Sequence, residues 1–397
     1  MKVLQVNCVY GAGSTGRLVK DIHQYGMDHG IESVVCYGRG QRVFDPYIYK
    51  VSTEAGAKIH SIQSRLFGVE FSHSFFATQK LLNIIKKESP NVVHLHCLNG
   101  HFINVYRTIR FLKHRHLPTV LTLHAEIMHT AGCDHAMECD KWKTCCSDCS
   151  KVHGILSSYF LDDAKRCYHK MQKAMAGFNE MTVVGVSQWL TDRARQSPIL
   201  GNARFETINN GVDTAAFSFR STISLLQRYP IGNRKVILHV TPNFYSAIKG
   251  GSYVLLLAEK MPQVCFVIVG YSGDCNMLPA NVIPLEHTTD KQELAQLYSL
   301  ADITLLTSKR ETFSMVCAES LCCGTPVVGF KAGAPETIGM EKYCEFVEQG
   351  DVDALQKAVT RWLYRDNNKS VISREAALRY SSQKMCEAYY ALYKRQV

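Results

Sequence analysis

Apolar strand-like runs alternate with helix-length segments along nearly the whole chain, and that alternation predicts an α/β protein with parallel sheets. Two further observations divide it into two tandem Rossmann-like domains. The alternation runs once on each side of TINNGVDTAAFSFRSTISLLQRYPIGNRK, a stretch punctuated by Asn-Gly, Pro and Gly that holds no sustained period. The first strand also runs straight into Gly11, Gly13 and Gly16, a G-x-G-x-x-G ahead of a helix, which is how a strand, phosphate-cradling loop and helix unit begins. The boundary falls near residues 215–233, and the two domains are expected to face each other across a cleft.

The bulk numbers agree with this plan. A chain of 397 residues can give each domain its own core, and 20% charged with 46% hydrophobic residues excludes wholesale disorder. No apolar run reaches transmembrane length: SYVLLLAEKMPQVCFVIVG is broken by Glu259, Lys260 and Pro262. The N-terminal segment reads as strand one and not as a signal peptide. Eleven of the sixteen cysteines are scattered, as in a reducing cytosol, and the other five cluster from Cys133 to Cys149. The net charge of +10 is uneven, since residues 1–215 hold 25 Lys and Arg against 18 Asp and Glu. A basic face there can meet nucleic acid, anionic lipid headgroups or phosphorylated substrates, or can simply be solvated.

In the first half the strands read VLQVNCVY, ESVVCYG, VVHLHC, TVLTLH and MTVVGVS, and in the second KVILHVT, VCFVIVG, NVIPLE, ITLLTS and PVVGF. The glycine loop alone admits a dehydrogenase. NAD would need an acidic residue after strand two for its ribose, and CYGRGQR offers Arg39 and Arg42 there, which leaves NADP open. The stretch TLLTSKRETFSMVCAESLCCGTPVVGF decides otherwise. It reads strand, loop, helix, turn, strand, with Ser314 capping a helix from Met315 to Cys323 and Gly324 as its C′ residue. A strand-to-helix junction points free N–H groups and the positive dipole end at a diphosphate. Glu319 on that helix can take ribose hydroxyls, and Glu311 in the loop can take sugar hydroxyls.

E-T-F-S-M-V-C-A-E followed by S-L-C-C-G-T-P-V-V resembles the E-x7-E signature of the retaining GT-B glycosyltransferases of family four. G-S-T-G-R at 13–17, V-H-L-H at 93–96, T-L-H at 122–124, N-N-G-V-D at 209–213 and K-G at 249–250 follow in that family's order. The wording is similar to the colanic-acid branch, which builds exopolysaccharide and O-antigen units, and the match covers essentially the whole chain. The resemblance implies a GT-B architecture. Residues 1–215 would form an acceptor domain with a Cys-rich insertion at about 130–150, residues 216–376 a nucleotide-sugar donor domain, and residues 377–397 a helix crossing back to the first domain.

It also implies an activity and a site. A sugar would move, with retention, from a nucleoside-diphosphate sugar (UDP ahead of GDP) to a polyprenyl-diphosphate-linked oligosaccharide. The enzyme would be cytoplasmic with peripheral contact at the inner membrane face, without a nucleic-acid partner. No persuasive D-x-D pair occurs, so no catalytic Mg²⁺ is expected. Gly13, Ser14, Thr15, Gly16 and Arg17 would lie against the donor diphosphate, together with amides of Phe313, Ser314 and Met315. Lys249 would neutralise the leaving group. Glu311 would hold the transferred sugar and Glu319 the ribose, with His124 beside the reacting sugar and His94, His96 and Asn99 on the acceptor side. Two departures stand out: no arginine lies between Lys235 and Lys249, and Ala125 replaces the aspartate usual after the histidine, with Glu126 next. They motivate an alternative, a non-catalytic sugar-nucleotide-binding partner of another transferase.

Cys133-x5-Cys139-x6-Cys146-x2-Cys149 suits a closed tetrahedral structural Zn²⁺, with Cys145 as a spare; a redox-active C-x-x-C or ordinary free thiols are the alternatives.

Overall fold

The computed structural model describes residues 1–69, 71–149, 158–159 and 161–397. The chain forms two compact units, Met1–Asn209 with Met385–Val397, and Asn210–Lys384. The described residues of the first unit form the strands β1 (Lys2–Val9), β2 (Glu32–Arg39), β3 (Ile48–Lys50), β4 (Val92–Leu95), β5 (Thr119–Leu123), β6 (Met181–Gly185) and β7 (Arg204–Thr207). They pair in the order β3-β2-β1-β4-β5-β6-β7, all parallel. In the second unit, β8 (Val236–Val240), β9 (Cys265–Val269), β10 (Val282–Leu285), β11 (Ile303–Leu306), β12 (Val327–Phe330) and β13 (Cys344–Val347) pair in the order β10-β9-β8-β11-β12-β13, again all parallel. Each sheet thus has a topological switch point, β1/β4 in one and β8/β11 in the other, and ligands of such sheets bind at the carboxyl ends of the strands there.

Each sheet is covered by helices because its central strands are apolar on both faces. β1 buries Val3, Leu4 and Val6, and Val3 packs with Val92, Val120 and Val184 from the neighbouring strands against Tyr389, Tyr390 and Tyr393 of the helix Ser382–Gln396. The second core gathers Ile237, Phe266, Ile303 and Val328 under Leu257 and Trp362.

The chain's last segment differs from the single helix expected over 377–397. It is two helices, Lys369–Tyr380 and Ser382–Gln396. Val212 N–H donates to the Tyr380 carbonyl at 2.7 Å and Ser382 N–H donates to the Val212 carbonyl at 2.8 Å, so the backbone groups that would continue the helix are spent on a bridge. Gly211 permits the approach, because a Cβ there would stand 2.4 Å from Ser382 Cα. This bridge also draws residues 210–215 into the second unit. The Cys-rich segment expected at about 130–150 is described up to 149, and its last position lies outside the described residues. Among the described residues, no helix is long and apolar enough to cross a membrane.

Candidate active site

In the second unit, the carboxyl ends of β8 and β11 lead into loops 241–250 and 307–314, and backbone bonds stitch these together. Lys309 N–H donates to the Ile248 carbonyl (2.7 Å), and Thr307 Oγ1 donates to the Lys249 carbonyl (2.9 Å). Gly250 has φ +68°, and a Cβ there would lie 2.3 Å from the Thr307 carbonyl oxygen, so only glycine lets the loops close up. The outcome is that Lys249 Nζ stands 2.6 Å from Glu311 Oε1, with the two side chains 29% and 16% exposed. Glu311 is fixed from a third loop: its N–H donates to the Ala332 carbonyl, and its carbonyl accepts from Ala334 N–H. The Glu336 carboxylate in turn accepts from Ala332 and Gly333 N–H at 3.0 Å.

The helix after Glu311 runs Met315–Cys322, and Ser314 caps it, its Oγ accepting from Cys317 N–H at 3.4 Å. Ser314 adopts φ +77°, a left-handed conformation that costs a non-glycine residue energy and is characteristic of ligand-clamping sites. The Phe313 side chain is buried, so its ligand-facing contribution is restricted to the backbone. One turn on, Glu319 Oε2 accepts from Tyr298 Oη at 3.2 Å. Burial and then Glu319 push the Tyr298 hydroxyl well above its usual range, so it remains a donor that orients the carboxylate. Nothing in KQELAQLYSL marked Tyr298 for this role. The same helix, Lys291–Leu300, supplies Leu297 to a cavity of about 490 Å³ at the end of β10, lined also by Leu285, His287 and Thr288.

In the first unit, β1 runs into the glycine loop, where Gly11 N–H donates to the Gly16 carbonyl at 2.9 Å. The helix Gly13–Asp28 then starts with Ala12 at its N-cap, which supplies no capping side chain, and its first turn carries no acid. Its first amides are left for an outside acceptor. Gly13, Ser14 and Arg17 are exposed, Thr15 is half-buried and Gly16 is buried.

A hydrogen-bonded chain crosses the switch point from β1 to β5. Gln5 Nε2 donates to the Val19 carbonyl (3.3 Å), which leaves Gln5 Oε1 to accept from His96 Nε2 (3.2 Å). His96 Nδ1 must then accept from His124 Nε2 (3.3 Å), and Nδ1 is the acceptor nitrogen of His124. Burial lowers the His124 pKa to about 4, so the ring is a neutral acceptor at the end of β5. Asn99 is turned to Asp134, donating at 3.1 Å.

His94 departs from the acceptor-side expectation. It shares a strand face with His96, but it is fully buried, with Nδ1 2.6 Å from Tyr393 Oη and Nε2 2.7 Å from Thr122 Oγ1. Both nitrogens are engaged in the core, and neither is left for a sugar. Glu126 is likewise fully buried. It accepts from Arg193 Nε at 2.6 Å and from Ala136 N–H at 2.9 Å. Burial works to raise its pKa, but His129 and Arg193 outweigh burial and hold it near 2.

The Cys-rich segment hangs from that network. Arg193 lies over the buried Trp142 ring at 5.0 Å, and Trp142 Nε1 donates to the Cys139 carbonyl. Cys133, Cys139, Cys146 and Cys149 line one cavity of about 40 Å³ together with Trp142. Among the described residues, however, no three His, Cys, Asp or Glu side chains are placed to hold a metal ion together, so the expected zinc is not supported. Cys146 Sγ points to the Thr130 carbonyl at 3.6 Å, and burial pushes its thiol up to about 12.

The model of Glycosyltransferase Family 4 matches residues 15–216, and that of Glycosyl transferases group 1 matches residues 235–365. The chain is 23% identical to the colanic acid biosynthesis glycosyl transferase WcaC of Escherichia coli, over 99% of this chain and 100% of that protein. It is 22% identical to the N-acetyl-alpha-D-glucosaminyl L-malate synthase of Bacillus anthracis, over 79% and 77% of the two. Among solved structures, sucrose-phosphate synthase from Thermosynechococcus elongatus superposes with a TM-score of 0.70 at 14% identity, covering 99% and 98% of the two chains. HepE of Anabaena, in complex with UDP and glucose, superposes with a TM-score of 0.64 at 16% identity over 100% of both. The fold shared with these structures is GT-B, two parallel-sheet α/β units.

Proposed function

The chain belongs to glycosyltransferase family 4, and from that premise we propose that it moves a sugar, with retention of anomeric configuration, from a nucleoside-diphosphate sugar to an oligosaccharide carried on polyprenyl diphosphate. The pathway would be surface-polysaccharide synthesis, as the likeness to WcaC suggests, and UDP is favoured over GDP by the ligands of HepE. The observation that carries the reading is the Lys249–Glu311 pair at 2.6 Å, next to a helix start strained at Ser314. A diphosphate would draw Lys249 and the amides of 313–315, releasing Glu311 to the hydroxyls of the sugar. Glu319, oriented by Tyr298, would take the ribose, with the glycine loop 13–17 contributing amides and Arg17 its charge to the diphosphate.

In this reading His124 accepts from a hydroxyl of the transferred sugar through Nδ1. The C1–phosphate bond breaks, the acceptor oxygen bonds C1 on the same face, and its proton passes to the departing phosphate oxygen. The reaction needs no metal from the protein. His96 supports the scheme by fixing the His124 tautomer, and Asn99, which donates to Asp134, would lie on the acceptor side. The enzyme would work on the cytoplasmic side, in peripheral contact with the membrane.

One observation favours the alternative, a non-catalytic binder of sugar nucleotide. Glu126 is committed to Arg193 in the core and does not replace the aspartate that Ala125 displaces. Thermal stabilisation by UDP, GDP, ADP and NADP, on wild type and on Glu319→Ala, tests the donor site. A ligand at a hundredfold excess over Kd should add about 2.7 kcal/mol. A UDP shift that Glu319→Ala abolishes supports the donor reading; a shift with NADP alone overturns it. Slow hydrolysis of the UDP-sugar without acceptor marks an enzyme, and its absence marks the binder.

A further inference from the structure

A second cavity, of about 780 Å³, opens in the first unit between the helix Glu54–Phe67 and the starts of the helices Phe75–Glu88 and Val105–His114. Its volume is that of a ligand site. Lys80 and Arg107 stand in its wall, and none of its described lining residues is a carboxylate. Arg107 Nη2 donates to Gln79 and the guanidinium lies over the Phe75 ring at 4.6 Å, but Nη1 is buried with no acceptor among the described residues. A buried guanidinium nitrogen without an acceptor leaves a place for an anion.

The floor is neutral at His60 and offers an anion no donor there. His60, only 2% exposed, has Nδ1 2.8 Å from Ser74 Oγ. The Ser74 hydroxyl donates to the His101 carbonyl at 3.1 Å, so His60 Nδ1 is the donor and its Nε2, which has no hydrogen-bond partner among the described residues, is an acceptor. Ser74 is the N-cap residue of Phe75–Glu88 at φ +63°, yet its side chain does not cap that helix, because His60 and His101 occupy it. The first amides of the helix consequently open on the cavity without a cap or an acidic neighbour. Burial keeps His60 neutral, so the wall's positive charge rests on Lys80 and Arg107.

The mouth is apolar and exposed. Phe76 is 87%, Phe75 62%, Ile59 57% and Ile62 56% exposed. Ile59, Ile62 and Leu66 recur at helical spacing on the outer face of Glu54–Phe67, interleaved with the exposed Lys58 and Arg65. Exposed apolar side chains ringed by cations over a cationic cavity match the two layers of an anionic bilayer surface. A protein partner would have no reason to place phosphate-type acceptors above unmet donors.

We propose that this face docks on anionic membrane, with a lipid phosphate entering the cavity between Arg107 and Lys80 and the side chains of Ile59, Ile62, Phe75 and Phe76 entering the acyl layer. The site deepens the proposed function, on which it rests only for its purpose of bringing the enzyme to a lipid-borne acceptor. The test is flotation of the full chain with phosphatidylcholine vesicles with and without phosphatidylglycerol. Wild type should float with the anionic vesicles alone and be released by salt. Lys80→Gln with Arg107→Gln should weaken binding roughly thirtyfold, at about tenfold per 1.4 kcal/mol and about 1 kcal/mol per cation. Phe76→Ser with Ile62→Ser should weaken it at least ~10-fold. Lys342→Gln with Lys357→Gln, the same charge loss in the other unit, should leave it unchanged.

Arg107 also packs on Phe75, so Arg107→Lys serves as the fold control and should retain binding. Equal flotation with both vesicle types overturns the proposal, as does an equal loss from the Lys342/Lys357 variant. Inorganic diphosphate that binds wild type but not the Lys80/Arg107 variant, and displaces no vesicle, would make the cavity a free-phosphate site and also overturn it. A UDP thermal shift measured on every variant separates the two readings: its absence with flotation intact sinks the donor site and leaves the docking site standing.

Discussion

Among the described residues burial lowers the pKa of nine histidines, and eight of them, from His23 to His129, lie in residues 1–209, against His239 alone in 210–384. The second unit instead keeps a full charge pair, Lys249 and Glu311, at half-buried loop ends. Two sheets of like topology thus present different chemistry at their switch points. Neutral imidazoles with fixed tautomers accept from hydroxyls and have no net attraction for phosphate, whereas a lysine and helix-start amides attract it. On the proposed function this is the division between acceptor and donor.

The largest expected effect is acid unfolding of the first unit ahead of the second. The buried imidazoles of His94, His96 and His124 have native pKa values well below the ordinary 6.5, so the denatured chain takes up protons that the native chain cannot. Stability is complete above pH 6.5 and falls as pH drops below it, by up to about 1.4 kcal/mol per pH unit for each such histidine. Three of them at pH 5.5 remove about 4 kcal/mol. Glu126 is not the trigger, since its depressed pKa keeps it charged until pH approaches about 2. Hydrogen exchange at pH 5.5 should open β4 and β5 while β8 and β11 stay protected; simultaneous opening would erase the contrast.

Glu126→Ala comes next. It leaves the half-buried Arg193 without its carboxylate and should cost about 3 kcal/mol. The loss should be confined to the first unit, so the UDP shift of the folded protein survives at low temperature. The reverse holds for Lys249→Ala. Transfer should fall about 10²–10³-fold, the loss of one preorganised charge at the leaving group, while the melting temperature without ligand moves by less than a degree or two. A turnover assay beside a thermal scan checks both, and a Lys249→Ala protein that transfers normally would move the catalytic charge elsewhere.

How much of this was readable in the residues alone depends on the range of the interaction. The cap at Ser314 and the helix it starts are local, so SMVCAESLCCG displays them. The ten strands named from apolar runs are all present. The three that escape notice, β3 (IYK), β7 (RFET) and β13 (CEFV), are edge strands, short and half-exposed, without the apolar run that marks a covered strand. The Gln5–His96–His124 chain was not readable, because it depends on β4 lying between β1 and β5. Alternation did place His94 and His96 on one face, and their rings are 3.7 Å apart, but it gave no hint of which element covers His94. Cysteine spacing likewise suggested zinc, which the described residues do not support, since spacing does not show that Cys146 turns to a carbonyl or that Trp142 shares the cysteines' cavity.

The smallest effect concerns the cover over His94. The helix Ser382–Gln396 ends the chain, and Met385–Val397 is grouped with residues 1–209. Tyr393 Oη bonds His94 Nδ1 at 2.6 Å, Tyr389 Oη bonds Thr122 Oγ1 at 3.0 Å, and Thr122 Oγ1 bonds His94 Nε2, a buried hydrogen-bonded chain between helix and sheet. Tyr393→Phe leaves His94 Nδ1 without a partner and should cost about 1–1.5 kcal/mol. His94→Phe removes the other end and strands the tyrosine hydroxyl at a similar cost. If the bond is what couples helix to sheet, the double variant should cost less than the sum of the two, by about 1 kcal/mol. A strictly additive cycle would mean that the tyrosine rings hold the helix by packing alone, and His94 would then be one more neutral imidazole filling space.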